Sequence, residues 1–141
     1  MILLDTDHMS ILEWGDDESS SVLRTRLAAS DDPKIATTIV SYEEQMRGWM
    51  AVLSKARTIE SQVHAYQRLA EHLENYRLIP VQQFDEPSAG VFTKLRRDRI
   101  RIGTMDLRIA SIAIANEALL LSRNSVDFEK VPGLRFENWA D

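Results

Sequence analysis

The chain of 141 residues has no cysteine, so disulfides and thiolate metal sites are both excluded, as suits a protein of the reducing cytoplasm. It also lacks any apolar run near the ~20 residues that a membrane-spanning helix needs. The opening Met1-Ile2-Leu3-Leu4-Asp5 has no basic stretch, and its apolar run is too short for a secretory signal. No membrane association is therefore expected. No internal repeat, low-complexity segment or composition shift marks a linker. With 44% hydrophobic residues, a single domain over residues 1–141 can bury one substantial core. Positive charge is in short supply: 17 basic against 22 acidic residues leave a formal net charge of −5. That balance argues against a protein that coats nucleic acid but leaves room for a local basic patch. No serine, histidine and acid fall into an arrangement suited to nucleophilic catalysis.

What the chain does contain is an alternation of short aliphatic runs with longer helical patterns. Ile2-Leu3-Leu4 reads as a strand buried on both faces, as in a parallel sheet. Helices over 7–14 and 19–29 follow, then a very short strand at Ile35-Ala36. Tyr42, Met46, Trp49 and Leu53 recur at helical spacing along 38–53. Ile59, Val63, Tyr66, Leu69 and Leu73 form an apolar stripe along 57–76, so the two helices read as an antiparallel hairpin with that stripe turned inward. A strand over 78–81 follows, then a helix with Pro87 in its first turn. A strongly apolar helix over 106–118, capped by Thr104, and strands at 119–121 and about 134–136 complete the pattern. The resulting class is α/β, a short, mainly parallel central sheet flanked by helices.

Acidic residues recur where strands end and helices begin. Asp5 and Asp7 follow the first strand, Asp106 lies in the first turn of the apolar helix, Glu43 and Glu44 sit on a helix, and Asn124 follows Leu119-Leu120-Leu121. Each has an ordinary explanation. Asp5 suits a turn, Asp7 or Thr6 a helix cap, and Asp106 gains ~0.3–1 kcal/mol from the helix dipole. The glutamates suit a solvated face and Asn124 a turn. Jointly they point further. In open α/β sheets, ligands gather at the carboxyl ends of strands, and carboxylates crowded there repel one another unless a cation sits among them. Mg²⁺ and Mn²⁺ suit such an oxygen site. These ions activate water and stabilise charge growing on phosphorus.

All of these residues but Glu43 fall in four segments, Leu3-Leu4-Asp5-Thr6-Asp7, Glu44-Gln45-Met46-Arg47-Gly48, Ile102-Gly103-Thr104-Met105-Asp106-Leu107-Arg108-Ile109-Ala110 and Ser122-Arg123-Asn124-Ser125-Val126-Asp127-Phe128. Pro132-Gly133-Leu134 then leads to Glu137-Asn138-Trp139. In order and spacing this resembles the PIN-domain ribonucleases, specifically the VapC-type toxins of prokaryotic toxin–antitoxin pairs, over nearly the whole chain. The resemblance implies a PIN-like fold and a Mg²⁺- or Mn²⁺-dependent endoribonuclease cutting single-stranded or loop RNA, often transfer RNA. On the matching positions it implies Asp5 and Asp106 as metal ligands, with Glu44 completing the acidic site. Asn124 stands where many members carry a fourth acid, Asp7 where Asn is common, and Ser122 replaces the usual threonine while keeping its hydroxyl. Helical periodicity sets Glu44 opposite the Tyr42 stripe and Glu43 at its edge, whereas the spacing to Gly48 favours Glu44. A homodimer is implied, as is a small VapB-type antitoxin whose tail fills an apolar groove and blocks the site.

Lys94, Arg96, Arg97, Arg99 and Arg101 surround a lone acid, Asp98, just ahead of Asp106. Such a run suits a solvated helix face or an RNA contact, and its position beside the acids favours Arg97, Arg99 and Arg101 as RNA-binding residues, together with Ser122. His64 and His72 are expected to be exposed, and His8 to lie on a helix surface. Two other functions compete. A haloacid-dehalogenase-like phosphohydrolase would use Asp5 as nucleophile and Asp7 as general acid. However, Met9 stands where that motif wants a β-branched residue, and no paired acids follow a late strand. A catalytically inactive PIN-like RNA-binding module would have no use for Asp5, Glu44 and Asp106.

Overall fold

The structure, a computed structural model, describes residues 1–141. The elements are β1 (Ile2–Leu4), α1 (Thr6–Trp14), α2 (Glu18–Ala29), β2 (Ile35–Thr38), α3 (Ile39–Lys55), α4 (Ile59–Arg77), β3 (Val81–Gln82), α5 (Glu86–Arg97), α6 (Thr104–Ala115), β4 (Leu119–Leu121), α7 (Ser125–Phe128) and β5 (Arg135–Glu137). The strands form one sheet in the order β3-β2-β1-β4-β5. Every pairing is parallel, so the sheet expected to be mainly parallel is wholly so.

The strand sequences explain why such short strands suffice. Ile2-Leu3-Leu4 pairs residue for residue with Leu119-Leu120-Leu121, and alternate side chains serve opposite faces. Leu3 and Leu120 enter a core with Val40, Leu95, Leu107 and Ile112. Ile2, Leu4 and Leu121 enter a second core with Met9, Leu23, Tyr76 and Trp139. Burying one such leucine contributes about 1.5–3 kcal/mol, so both faces of the central strands hold helices against them. No helix is long and apolar enough to cross a membrane.

The chain lays β2 and β3 on one side of β1, then returns to lay β4 and β5 on the other. That reversal opens a crevice at the carboxyl ends of β1 and β4. Asp5 leaves β1 there, its N–H donating to the Leu121 carbonyl at 3.1 Å.

Four local expectations change. The third strand shrinks to Val81–Gln82, because Pro80 has no N–H for the ladder. A short helix, α7, replaces the turn expected after β4, started by Asn124 Oδ1 accepting from the Asp127 N–H at 3.4 Å. Gly103, not Thr104, is the N-cap of α6, with no side-chain cap bond. The largest change is on α4, which buries Ala65, His72 and Tyr76 and leaves Ile59, Val63, Tyr66 and Leu73 exposed. His72, expected at the surface, stacks on Tyr42 at 5.4 Å and leans on Tyr76 at 4.8 Å, while His64 is exposed as expected. Stacked rings with a hydrogen-bonded phenol, Tyr76 Oη donating to Gln45 Oε1 at 2.5 Å, set the rotation of α4 against the aliphatic stripe.

Candidate active site

Asp5 begins the site because two requirements meet on it. Its Oδ1 accepts from the His8 N–H at 2.8 Å, which makes it the N-cap of α1. It is also almost fully buried at the end of β1. The capping and the site readings thus apply to one residue, and neither Thr6 nor Asp7 is the cap. Asp7 is exposed, 3.7 Å from Arg123 Nε. Its carboxylate is engaged with Arg123, a pairing that the phosphohydrolase reading does not call for.

Residues Thr6 and Ser10 lie one helical turn apart on the same side of α1, and both grip α3. Thr6 Oγ1 donates to Glu44 Oε1 at 2.6 Å, and Gln45 Nε2 donates to Ser10 Oγ at 2.9 Å. Glu43 instead pairs with Arg47 at 2.6 Å along its own helix. The structure therefore brings Glu44, not Glu43, beside the start of α1. The conflict with periodicity disappears because α3 packs on α1 as well as on α4, so the side opposite Tyr42 is also covered.

Asp106, half-buried in the first turn of α6, is the most perturbed group of the crevice. Burial pushes its carboxyl up to about 6, and the charges of Glu44, Asp5 and Asp127 push the same way. A hydrogen bond from Asn124 acts against them: Asn124 Nδ2 lies 3.2 Å from Asp106 Oδ2 and 3.0 Å from Asp127 Oδ2. The amide thus bridges two carboxylates as a neutral donor. Asp127 is the residue that sequence reasoning missed. Its signal was an asparagine followed three residues later by an acid at a helix start, a capping pattern. Lys130 Nζ lies 3.7 Å from its other oxygen.

The remaining assignments divide. Ser122 is buried, and its Oγ accepts from the Asn124 N–H at 3.0 Å, so its hydroxyl shapes the turn. Arg99 and Arg101 line a cleft of about 680 Å³ between the end of α5 and the start of α6, which extends to Asp127. Arg96 lines it too, whereas Arg97 does not. His8, expected on a helix surface, is fully buried. Its Nε2 accepts from the Trp139 N–H at 3.3 Å, which assigns the ring proton to Nδ1, 3.3 Å from Asp5 Oδ1. That contact is too poorly aligned to complete a hydrogen bond. It still turns the proton-bearing edge of the imidazole toward the carboxylate.

Asp5, Glu44, Asp106 and Asp127 offer only hard oxygen donors, the set that Mg²⁺ or Mn²⁺ takes. Their mutual repulsion, expressed at Asp106, is what a divalent cation relieves. No three of these side chains converge to the spacing of a finished metal cage. Glu44 is turned to Thr6 and Asp106 to Asn124, so holding an ion would require both side chains to give up those hydrogen bonds.

No family model matches the chain. A segment of 47 residues is 45% identical to ribonuclease VapC2 of Rickettsia felis, over 33% of this chain and 35% of that protein, so the chain spans about a third of this curated relative. Over the whole fold, the chain is similar to one from the VapBC2 complex of Rickettsia felis bound to a DNA fragment from its promoter, with a TM-score of 0.71, 26% identity and 99% of each chain covered. VapBC-1 of nontypeable Haemophilus influenzae gives a TM-score of 0.71 at 21% identity, with 100% of both chains covered. DNA-bound VapBC of Salmonella typhimurium gives 0.71 at 18% identity, covering 98% of this chain and 97% of that one.

Proposed function

We propose that this chain, whose fold is that of the VapC-type PIN-domain proteins, is a Mg²⁺- or Mn²⁺-dependent endoribonuclease acting as the toxin of a toxin–antitoxin pair. The observation that carries this reading is the gathering of Asp5, Glu44 and Asp106 at the switch point of the sheet. Burial first, and then the like charges of Glu44, Asp5 and Asp127, hold Asp106 well above the ordinary carboxylate range. When bound there, the ion supplies an activated water and neutralises charge at the scissile phosphate. The protein's own residues do the positioning. Asp5, Glu44 and Asp106 hold the ion, Asn124 and Thr6 orient two of those carboxylates, and His8 braces the third. The unpaired arginines of the neighbouring cleft draw the RNA backbone toward an otherwise acidic molecule. Loop RNA, including transfer RNA, suits an open crevice of this kind.

Purified protein incubated with total RNA in Mg²⁺ or Mn²⁺ is expected to cut it. A chelator should stop the reaction, and Asp5→Asn should slow it by at least ~100-fold. Cleavage that persists in chelator, or equal cleavage by the Asp5→Asn protein, sinks this reading.

The partner in this proposal is a small VapB-type antitoxin, supported by the complexes that the similar structures represent. Tyr42, Met46, Tyr66, Leu69, His72 and Leu73 line an apolar groove of about 400 Å³ across α3 and α4, and exposed Val63 and Ile59 extend its apolar rim. An amphipathic antitoxin segment fits such a groove. Tyr66→Asp and Leu73→Asp should abolish co-purification with the antitoxin while RNA cleavage continues; undiminished co-purification refutes the assignment. Self-association into a homodimer belongs to the same proposal, and a chain that sediments only as a monomer removes it.

A further inference from the structure

The cleft between α5 and α6 is lined by three arginines, none of them ion-paired. Arg47, Arg68, Arg77 and Arg123 each lie near a carboxylate, but Arg96, Arg99 and Arg101 have none. An aromatic ring stands among them: the Arg96 guanidinium lies 5.7 Å from the centroid of Phe92, and that of Arg108 lies 5.8 Å from it. Ile100 and Ile102 complete an apolar side, and Asp127 marks the end nearest the acidic site. At about 680 Å³ the cleft falls in the size range of small-ligand pockets, ~300–1,000 Å³.

The backbone adds a separate indication. Helix α5 ends with the Arg99 N–H donating to the Arg96 carbonyl at 3.0 Å and the Ile100 N–H to the Leu95 carbonyl at 3.1 Å. This ending puts residue 99 in the left-handed region, φ 60°, where glycine is the usual choice because a Cβ is strained. An arginine here destabilises the turn, yet it lines the cleft.

We propose that the cleft seats one nucleotide of single-stranded RNA next to the bond that is cut. Its phosphate lies on Arg99 and Arg101, and its base stacks on the Arg96 guanidinium that covers Phe92. The proposal rests on the ribonuclease reading and adds to it the place where substrate is gripped. It also separates Arg96, Arg99 and Arg101 from Arg97, which faces solvent outside the cleft.

The test measures binding of a fluorescent single-stranded RNA octamer to the full chain in Mg²⁺ across a salt series. An Asp5→Asn background lets affinity be read without cleavage. Arg99→Gly should weaken binding about tenfold and lower the slope of log affinity against log salt by about 0.7. The same change should raise the melting temperature by about 2–4 °C, since it relieves the left-handed strain. Arg99→Lys should keep the slope, because the charge remains. Glu117, φ 52° at the end of α6, is the matched control: Glu117→Gly should also stabilise but leave RNA binding unchanged. Unchanged affinity and slope in Arg99→Gly overturn the proposal while leaving the ribonuclease reading intact. Equal loss in Glu117→Gly overturns it as well. Failure of the parent protein to cut RNA in metal overturns the ribonuclease reading itself.

Discussion

Two carboxyl groups of this molecule are pushed well above their ordinary range, and only one lies at the candidate active site. Asp106 rises to about 6 and Glu13 to about 7, so the size of the shift alone would choose the wrong residue. The causes separate them. Glu13 sits between α1 and the end of α4, against a cleft lined by Met9, Leu12, Ile35, Asn75 and Pro80, at the amino ends of β2 and β3. Burial alone raises it, while Asn75 and Trp14 hold the shift down. Asn75 and Trp14 lie close to its oxygens, but neither makes a well-aligned hydrogen bond to them. Such a group is satisfied by keeping one proton of its own. Asp106 is raised by burial and also by three neighbouring carboxylates. Protonating one of those acids leaves the rest in conflict, whereas a divalent cation relieves all of them at once. Like charge around a perturbed acid, more than the perturbation itself, marks a place for an ion.

The strongest way to break this comparison is to neutralise each region in turn and measure RNA cleavage. Glu44→Gln should reduce the rate about 100-fold, since it removes a charge from the cation's seat while the amide oxygen can still accept from the Thr6 hydroxyl. Glu13→Gln should stay within about twofold of the parent, because nothing in its pocket faces the crevice. Glu43→Gln should do the same, its carboxylate being engaged with Arg47. A full loss in Glu13→Gln, or none in Glu44→Gln, would dissolve the distinction.

Much of this contrast was legible in the sequence on one side and not on the other. Asp5 and Asp106 stood out because strand ends and helix starts in a parallel fold have few places to go, and the aliphatic triplets at 2–4 and 119–121 located the sheet; Glu44, inside a helix, was favoured only by its spacing to Gly48. Asp127 was not visible as a site residue, since its inclusion depends on a four-residue helix that Asn124 starts with its own side chain. The α4 face was misjudged because a periodic stripe reports that one face is apolar, not what covers it. Ring packing of Tyr42, His72 and Tyr76 took the inward position instead. His8 was misread for a related reason. Its partner, the Trp139 backbone, arrives from 131 residues away, and no local pattern announces so distant a contact.

The smaller effect concerns stability, and it sharpens the same contrast through pH. Glu13 binds its proton more tightly in the folded chain than in the unfolded one. Its contribution is therefore fully present below the unfolded value of 4.5 and is lost as pH rises through about 7. Charging the group above that point costs on the order of 1–2 kcal/mol, after discounting for its partial contact with solvent. The neighbouring Tyr76 does not confuse the reading. Burial first, then the charges of Glu13 and Glu44, hold its phenol far above the usual range, so it stays neutral throughout. Urea unfolding of the parent and of Glu13→Gln at pH 5 and pH 8 isolates this contribution. The two proteins should differ least at pH 5, and the variant should gain on the parent by pH 8, with or without Mg²⁺. Indifference to Mg²⁺ is the decisive part: a gain that vanished when the ion was added would mean that Glu13 belongs to the acidic site after all.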